Sequence, residues 1–232
     1  MTEPAATPAP VAPPNIRELV ITLFELGREI TAVLNLDELL HKIPQLIARI
    51  TKFQAFAVYL LDPRAEELSI AYAVGYPDEV VWTLRVKVGE GLVGTAVAEG
   101  QPILVNDVHT DPRYREAVPG SNSELVVPLR RKGRVIGALN LLSENTGQFT
   151  EIDELLLRQF GAHVAVAIEN ARLFDQAREY TSTLETLSEI GREFGGKHHT
   201  TVMHSVDKIE TLTKDDRNFH RDVQELIDSI CN

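Results

Sequence analysis

Two stretches of this chain place apolar residues in alternating steps of three and four, and the residues between them follow a different rhythm. Ile16, Leu19, Leu23, Leu26, Ile30 and Val33 form the first seam. Leu173, Ala177, Tyr180, Leu184, Leu187, Gly191 and Phe194 form the second. Such spacing draws a narrow apolar stripe along a helix that packs on another helix. Each stripe needs a partner, so the pattern predicts a parallel homodimer in which two helices from each chain build a four-helix bundle.

Between the seams the period shortens. A second helix starts after Asn35, with Glu38 at the third position of a capping box. Its apolar face runs from Leu36 to Ile50, and Pro44 inside that face is expected to kink it. Phe53 to Leu61 and Glu67 to Val74 are rich in Val, Tyr, Leu and Ile and flank Asp62-Pro63-Arg64, which predicts a hairpin. Arg85 to Val88 reads as a short strand, Leu92 to Glu99 as a short helix and Pro102 to Val105 as another strand. Asn106 to Ser123 carries repeated turn signals and reads as a long loop. Glu124 to Leu129 and Arg134 to Leu142 make a second hairpin around Lys132-Gly133. Thr150, with Asp153 three residues on, caps a helix expected to run to about Phe194.

The ends differ again. Residues 1–14 are rich in Pro and Ala and read as a disordered leader. Leu23-Phe24-Glu25-Leu26-Gly27-Arg28-Glu29-Ile30 is echoed by Leu187-Ser188-Glu189-Ile190-Gly191-Arg192-Glu193-Phe194. After the echo, residues 197–232 lack Gly, Pro and Trp and hold most of the histidines, a shift that marks a boundary. The expected organisation is a leader at 1–14, a signalling helix at 15–34, a domain at 35–172, a coiled-coil linker at 173–196 and an unassigned helical tail at 197–232.

The formal charge is −11, from 23 Lys plus Arg against 34 Asp plus Glu. That balance argues against nucleic acid and against an anionic membrane as partners. The single Cys, Cys231, allows no internal disulfide and no thiolate metal cluster, which fits a reducing cytoplasm. No apolar run approaches the roughly 20 residues of a membrane span, and no secretory leader is visible.

Gly89-x-Gly91-x-x-Gly94 follows a strand and opens a helix, but the helix is short and the neighbouring strands look antiparallel. It reads as a tight turn rather than a dinucleotide fingerprint. His198, His199 and His204 cluster near Met203 without a fourth ligand or a fixed scaffold, so no metal and no cofactor is expected. No nucleophile motif, Walker A or His-Glu-x-x-His is present.

In order and spacing, four pieces resemble the GAF domain: Val86 to Gly94; Pro102 to Val108 followed by Asp111-Pro112-Arg113-Tyr114; Ser123 to Leu129; and Val135 to Leu141 followed by Phe149. The helix bearing Ala165 to Ala171 is similar to the usual exit of that domain. The resemblance implies an α+β, PAS-like fold: an antiparallel sheet of five or six strands, helices on one face and a small-molecule pocket on the other. Cyclic-nucleotide-binding members carry Asn-Lys, Phe and Asp-Glu; Asn140, Phe149, Asp153 and Glu154 match, but Leu141 replaces the Lys. Bilin attachment and the free methionine sulfoxide reductases of this family both need cysteines, and residues 1–230 have none.

These departures lead to the expectation of a non-catalytic sensor, not an enzyme. It would relay a small-molecule signal through a dimeric helix to an output domain such as a SpoIIE-like phosphatase, a histidine kinase or a cyclase. A purely structural dimerisation module and a cyclic-nucleotide-binding module are the alternatives. Trp82, Arg113, Tyr114, Glu124 and Asn140 are the residues expected to contact the ligand.

Overall fold

The computed structural model describes residues 16–62, 64–193, 200 and 204. The chain divides into two compact units, Met1–Leu173 and Phe174–Asn232. In the first, α1 (Ile16–Thr31) and α2 (Leu36–Ile47) precede β1 (Ala55–Asp62) and β2 (Glu67–Val74). Then come α3 (Asp78–Thr83), β3 (Arg85–Lys87), α4 (Gly91–Glu99), β4 (Ile103–Val105), β5 (Ser123–Arg131) and β6 (Arg134–Ser143). The last helix, α5, is Glu151–Glu193.

The six strands form one sheet in the order β3-β2-β1-β6-β5-β4, with every neighbouring pair antiparallel. The fold is α+β, as the resemblance implied. The central strands are buried on both faces, so they read as nearly continuous apolar runs although their side chains alternate. Phe56, Val58, Leu125, Val127, Leu129, Leu139 and Leu141 face a core shared with α1, α2 and α5. Ala57, Tyr59, Val126, Ala138 and Leu142 face a second core, shared with α4 and the segment around Val108 and Val118.

Local chemistry fixes the element ends. Asn35 Oδ1 accepts from the Glu38 amide at 2.9 Å. Thr150 and Asp153 complete a reciprocal box: the Thr150 amide donates to Asp153 Oδ2 at 2.8 Å and the Asp153 amide to Thr150 Oγ1 at 3.3 Å.

Part of the first seam is covered within its own chain. Leu26, Ile30 and Val33 are buried in the chain's own core. Gly27 allows this: a Cβ there would lie 3.0 Å from the His163 ring, so the missing side chain lets α1 close on α5. Phe24 and Ile21, off that stripe, are exposed. Along α5, Leu173, Phe174 and Tyr180 are exposed as well. The side chains of residues 187–199 lie outside the described residues, as do the leader and nearly all of the tail. No described helix is long and apolar enough to cross a membrane.

The glycine motif is a steric device. Gly89 donates its amide to the Gly94 carbonyl at 2.8 Å, and a Cβ on Gly94 would lie 2.2 Å from the Lys87 carbonyl oxygen. The loop folds back on β3, an antiparallel edge strand, so no parallel βαβ unit exists here. Two elements were not expected from the sequence: α3, and a 3-10 turn at Val108–Thr110 that Asp107 caps through the His109 amide at 3.0 Å.

Candidate functional site

The face of the sheet away from α1, α2 and α5 holds a cavity of about 480 Å³. Its floor comes from β1, β5 and β6, which contribute Tyr59, Glu124, Asn140 and Leu142. Its walls come from α3 and β3 on one side, from the start of α4, and from Arg115, Glu116 and Ala117 of the long loop. The floor residues are buried, whereas Thr83, Arg85, Glu90, Arg115 and Glu116 are exposed around the mouth.

Glu124 is the chemical centre of this floor. It is 4% exposed, and burial pushes its carboxyl up to about 8, an effect the Asn140 amide partly offsets. The group is thus mostly protonated at neutral pH and able to donate a proton. Asn140, 3% exposed, donates from Nδ2 to the Tyr76 hydroxyl at 3.0 Å. Its Oδ1 is buried without a hydrogen-bond partner, while the residue as a whole lines the cavity. Burial raises the Tyr59 and Tyr76 phenols well above their ordinary range, so both stay neutral donors.

The structure brings together two of the five residues the sequence singled out. Glu124 and Asn140 lie on paired strands and both line the cavity. Tyr114 packs against the cavity-side core, with its hydroxyl buried and unpartnered, but does not line the cavity. Arg113 is taken by Asp111, which accepts from its Nη2 at 2.7 Å and its Nε at 3.0 Å and whose carboxyl is thereby held below the usual range. Trp82 is 78% exposed on the outer side of α3. Tyr59, Arg85 and Arg115 were missed. The alternation of β1 around Tyr59 was available as a signal; Arg85 stands at the start of a three-residue strand and Arg115 in the long loop, both too short of regular pattern to show a facing side.

Leu141 points into the core beneath the helices, on the face opposite the cavity. Its replacement of Lys therefore changes a packing contact and does not touch the ligand space.

Residues 33–169 match the family model of the GAF domain, and the chain belongs to that family. Residues 176–209 match the helix-turn-helix of the bacterial dnaA protein. The chain is 42% identical over 81 residues to the free methionine-R-sulfoxide reductase of Escherichia coli, an alignment covering 35% of this chain and 49% of that enzyme. The crystal structure of free methionine-R-sulfoxide reductase from Neisseria meningitidis in complex with its substrate superposes with a TM-score of 0.61 at 27% identity. That superposition covers 70% of this chain and 95% of the reductase. The chromosomal replication initiator protein DnaA of Methylobacillus flagellatus is 52% identical over 54 residues, 23% of this chain and 11% of that protein. The chain thus spans about half the length of the E. coli reductase and a small part of the initiator.

These relatives overturn the expectation of a non-catalytic sensor and the exclusion of an enzyme. The exclusion rested on a missing nucleophile within the domain. That argument covers only thiols carried by the chain itself; a reductant can also arrive from outside.

Proposed function

We propose that the cavity is a substrate site of the reductase type, taking free methionine-R-sulfoxide or a closely similar small sulfoxide, with Glu124 donating a proton to the sulfoxide oxygen. The observation that carries this reading is a buried carboxyl, held up to about 8, on the floor of a cavity in a fold shared with such enzymes. A sulfoxide oxygen is a poor leaving group until it is protonated, and an acid poised near neutrality is suited to that transfer. Asn140 and Tyr59 line the same cavity and supply an amide and a phenol beside the acid.

Calorimetric titration with the sulfoxide, followed by chromatographic assay for methionine in the presence of a thiol, tests the reading. Glu124→Gln keeps a neutral donor of the same shape, so binding is expected to persist while turnover falls about 10²–10⁴-fold. Turnover of the natural sequence is expected to decline as the pH passes about 8, where Glu124 loses its proton. Absence of binding sinks the reading.

A second reading concerns the other unit. The helix-turn-helix match at 176–209 supports contact with duplex DNA, against the expectation drawn from the net charge. A mobility-shift titration against random and specific duplexes, at two salt concentrations, decides between them. The exposed Leu173, Phe174 and Tyr180 along α5 support a homodimer through this helix, and sedimentation velocity of the full chain tests it.

A further inference from the structure

Resting on the sulfoxide reading, we infer that the cavity admits a second reactant alongside the sulfoxide: a low-molecular-weight thiol that carries a carboxylate. The residues lining the cavity offer three carboxyl groups, an amide, a phenol, a hydroxyl and two guanidiniums, but no sulfur. The only Cys of the chain is Cys231, outside the described residues. Space for a co-reactant is present. Methionine sulfoxide has ten non-hydrogen atoms, which at the ~30 Å³ taken by a water in the liquid fill about 300 Å³. The cavity measures about 480 Å³.

The mouth supplies the recognition. Arg85 donates from Nη1 to the Leu84 carbonyl at 2.8 Å and to that of Trp82 at 3.2 Å. Arg115 donates from Nη1 to the Tyr114 carbonyl at 2.9 Å and to that of Pro112 at 3.2 Å. Each guanidinium is oriented by backbone while its Nε and Nη2 stay uncommitted among the described residues. Neither is in a salt bridge, although Glu90 and Glu116 share the rim. Oriented, exposed guanidiniums with unspent donors suit a carboxylate, which they can bind bidentately.

The chemistry balances. The thiolate sulfur of the first co-reactant attacks the sulfoxide sulfur, forming an S–S bond, while the Glu124 proton passes to the sulfoxide oxygen. The S–O bond breaks, and the oxygen leaves as water after taking a second proton. A second thiolate then attacks the sulfur of the first, the bond to the methionine sulfur breaks, and that sulfur keeps the electron pair as a thioether. One sulfoxide is reduced by two electrons, two thiols are oxidised to one disulfide, and their two protons end in the water, with Glu124 reprotonated.

The test uses the full chain and Cys231→Ser, each given free methionine-R-sulfoxide with mercaptoacetate or with uncharged 2-mercaptoethanol, methionine being measured by chromatography. Cys231→Ser is expected to turn over like the natural sequence. The KM for mercaptoacetate is expected to lie at least tenfold below that for 2-mercaptoethanol. Arg85→Ala and Arg115→Ala should erase this difference by raising the KM for mercaptoacetate toward that for 2-mercaptoethanol. Loss of turnover in Cys231→Ser overturns the inference, because the thiol then belongs to the chain. Equal KM values for the two thiols, or sulfoxide binding without methionine formation with either, also overturn it while the binding site stands. If calorimetry finds no sulfoxide binding, the underlying reading has failed and the inference with it.

Discussion

The two faces of the central sheet are built from the same strands and do opposite work. Beneath α1, α2 and α5 the packing is hydrocarbon against hydrocarbon, closed by Phe56, Phe160 and a layer of Leu, Ile and Val. On the other face the same strands bury Glu124, Asn140 and Tyr59 around an open space. A protein interior normally pairs or excludes such groups. Their concentration on one face shows where the fold carries a stability cost, and which face supplies the stability that offsets it.

The largest effect that can break this comparison comes from one strand. Leu139 and Leu142 are both buried on β6 and point to opposite faces. Leu139→Ala should open a new void in the closed layer and cost about 3–5 kcal/mol in urea unfolding. Leu142 already borders the cavity, so its neighbours have fewer contacts to lose; Leu142→Ala should cost about 2 kcal/mol or less and alter ligand affinity. Equal costs with equal effects on binding would mean that the faces do not differ in this way.

Next in size is the pH dependence of stability. The Glu124 carboxyl titrates near 8 in the folded chain and near 4.5 when unfolded. Between those values the folded state holds a proton that the unfolded state has released, so stability falls as the pH rises. The contribution is complete below about 4.5 and is lost by about 8, amounting to a few kcal/mol. Glu124→Gln should flatten this part of the profile and be more stable than the natural sequence at pH 8–9. A steeper loss in the variant would place the titrating group elsewhere.

How much of this was legible follows from the physics of each face. The hairpins, the capping boxes at Asn35 and Thr150, and α5 obey local rules, so spacing and turn residues disclose them. The first seam was legible as a helix but not as to its partner: a stripe such as Leu26, Ile30 and Val33 looks the same whether another chain or its own sheet covers it. Glu124 and Asn140 were accessible because a lone polar residue in an apolar strand is conspicuous. Arg85 and Arg115 were not, because tertiary placement alone brings β3 and the long loop to one cavity mouth. The exclusion of enzymatic function was overturned by the relatives and not by any residue pattern that the sequence displays.

A smaller effect concerns the hydrogen bond that orients the floor. Asn140 Nδ2 donates to the Tyr76 hydroxyl at 3.0 Å, inside the buried region. Tyr76→Phe removes the acceptor and leaves the amide donor unpaired, which should cost about 1–2 kcal/mol. Ligand affinity should fall too, because the Asn140 side chain, which lines the cavity, is then no longer held in place. A loss of stability with unchanged affinity would show that Asn140 does not contact the ligand.

The smallest effects belong to Trp82 and Arg113, and they sharpen the comparison because residue type alone suits both to a ligand. Trp82 is largely in solvent, and its neighbours on α3, Val80 and Thr83, line the cavity where it does not. Arg113 spends its planar fork on Asp111, two residues away, in an exposed pair of the kind worth at most about 1 kcal/mol. Trp82→Ala and Arg113→Ala should each change stability by less than about 0.5–1 kcal/mol and leave sulfoxide affinity within twofold. The measurement is a calorimetric titration of each variant beside Glu124→Gln, with unfolding followed by far-ultraviolet circular dichroism, because Trp82→Ala removes the only tryptophan of the chain. A tenfold loss of affinity in Trp82→Ala would mean that α3 folds over the bound ligand and carries the indole into the cavity. The polar face would then extend beyond the floor described by Glu124 and Asn140, and the mouth would be a moving wall rather than a fixed rim.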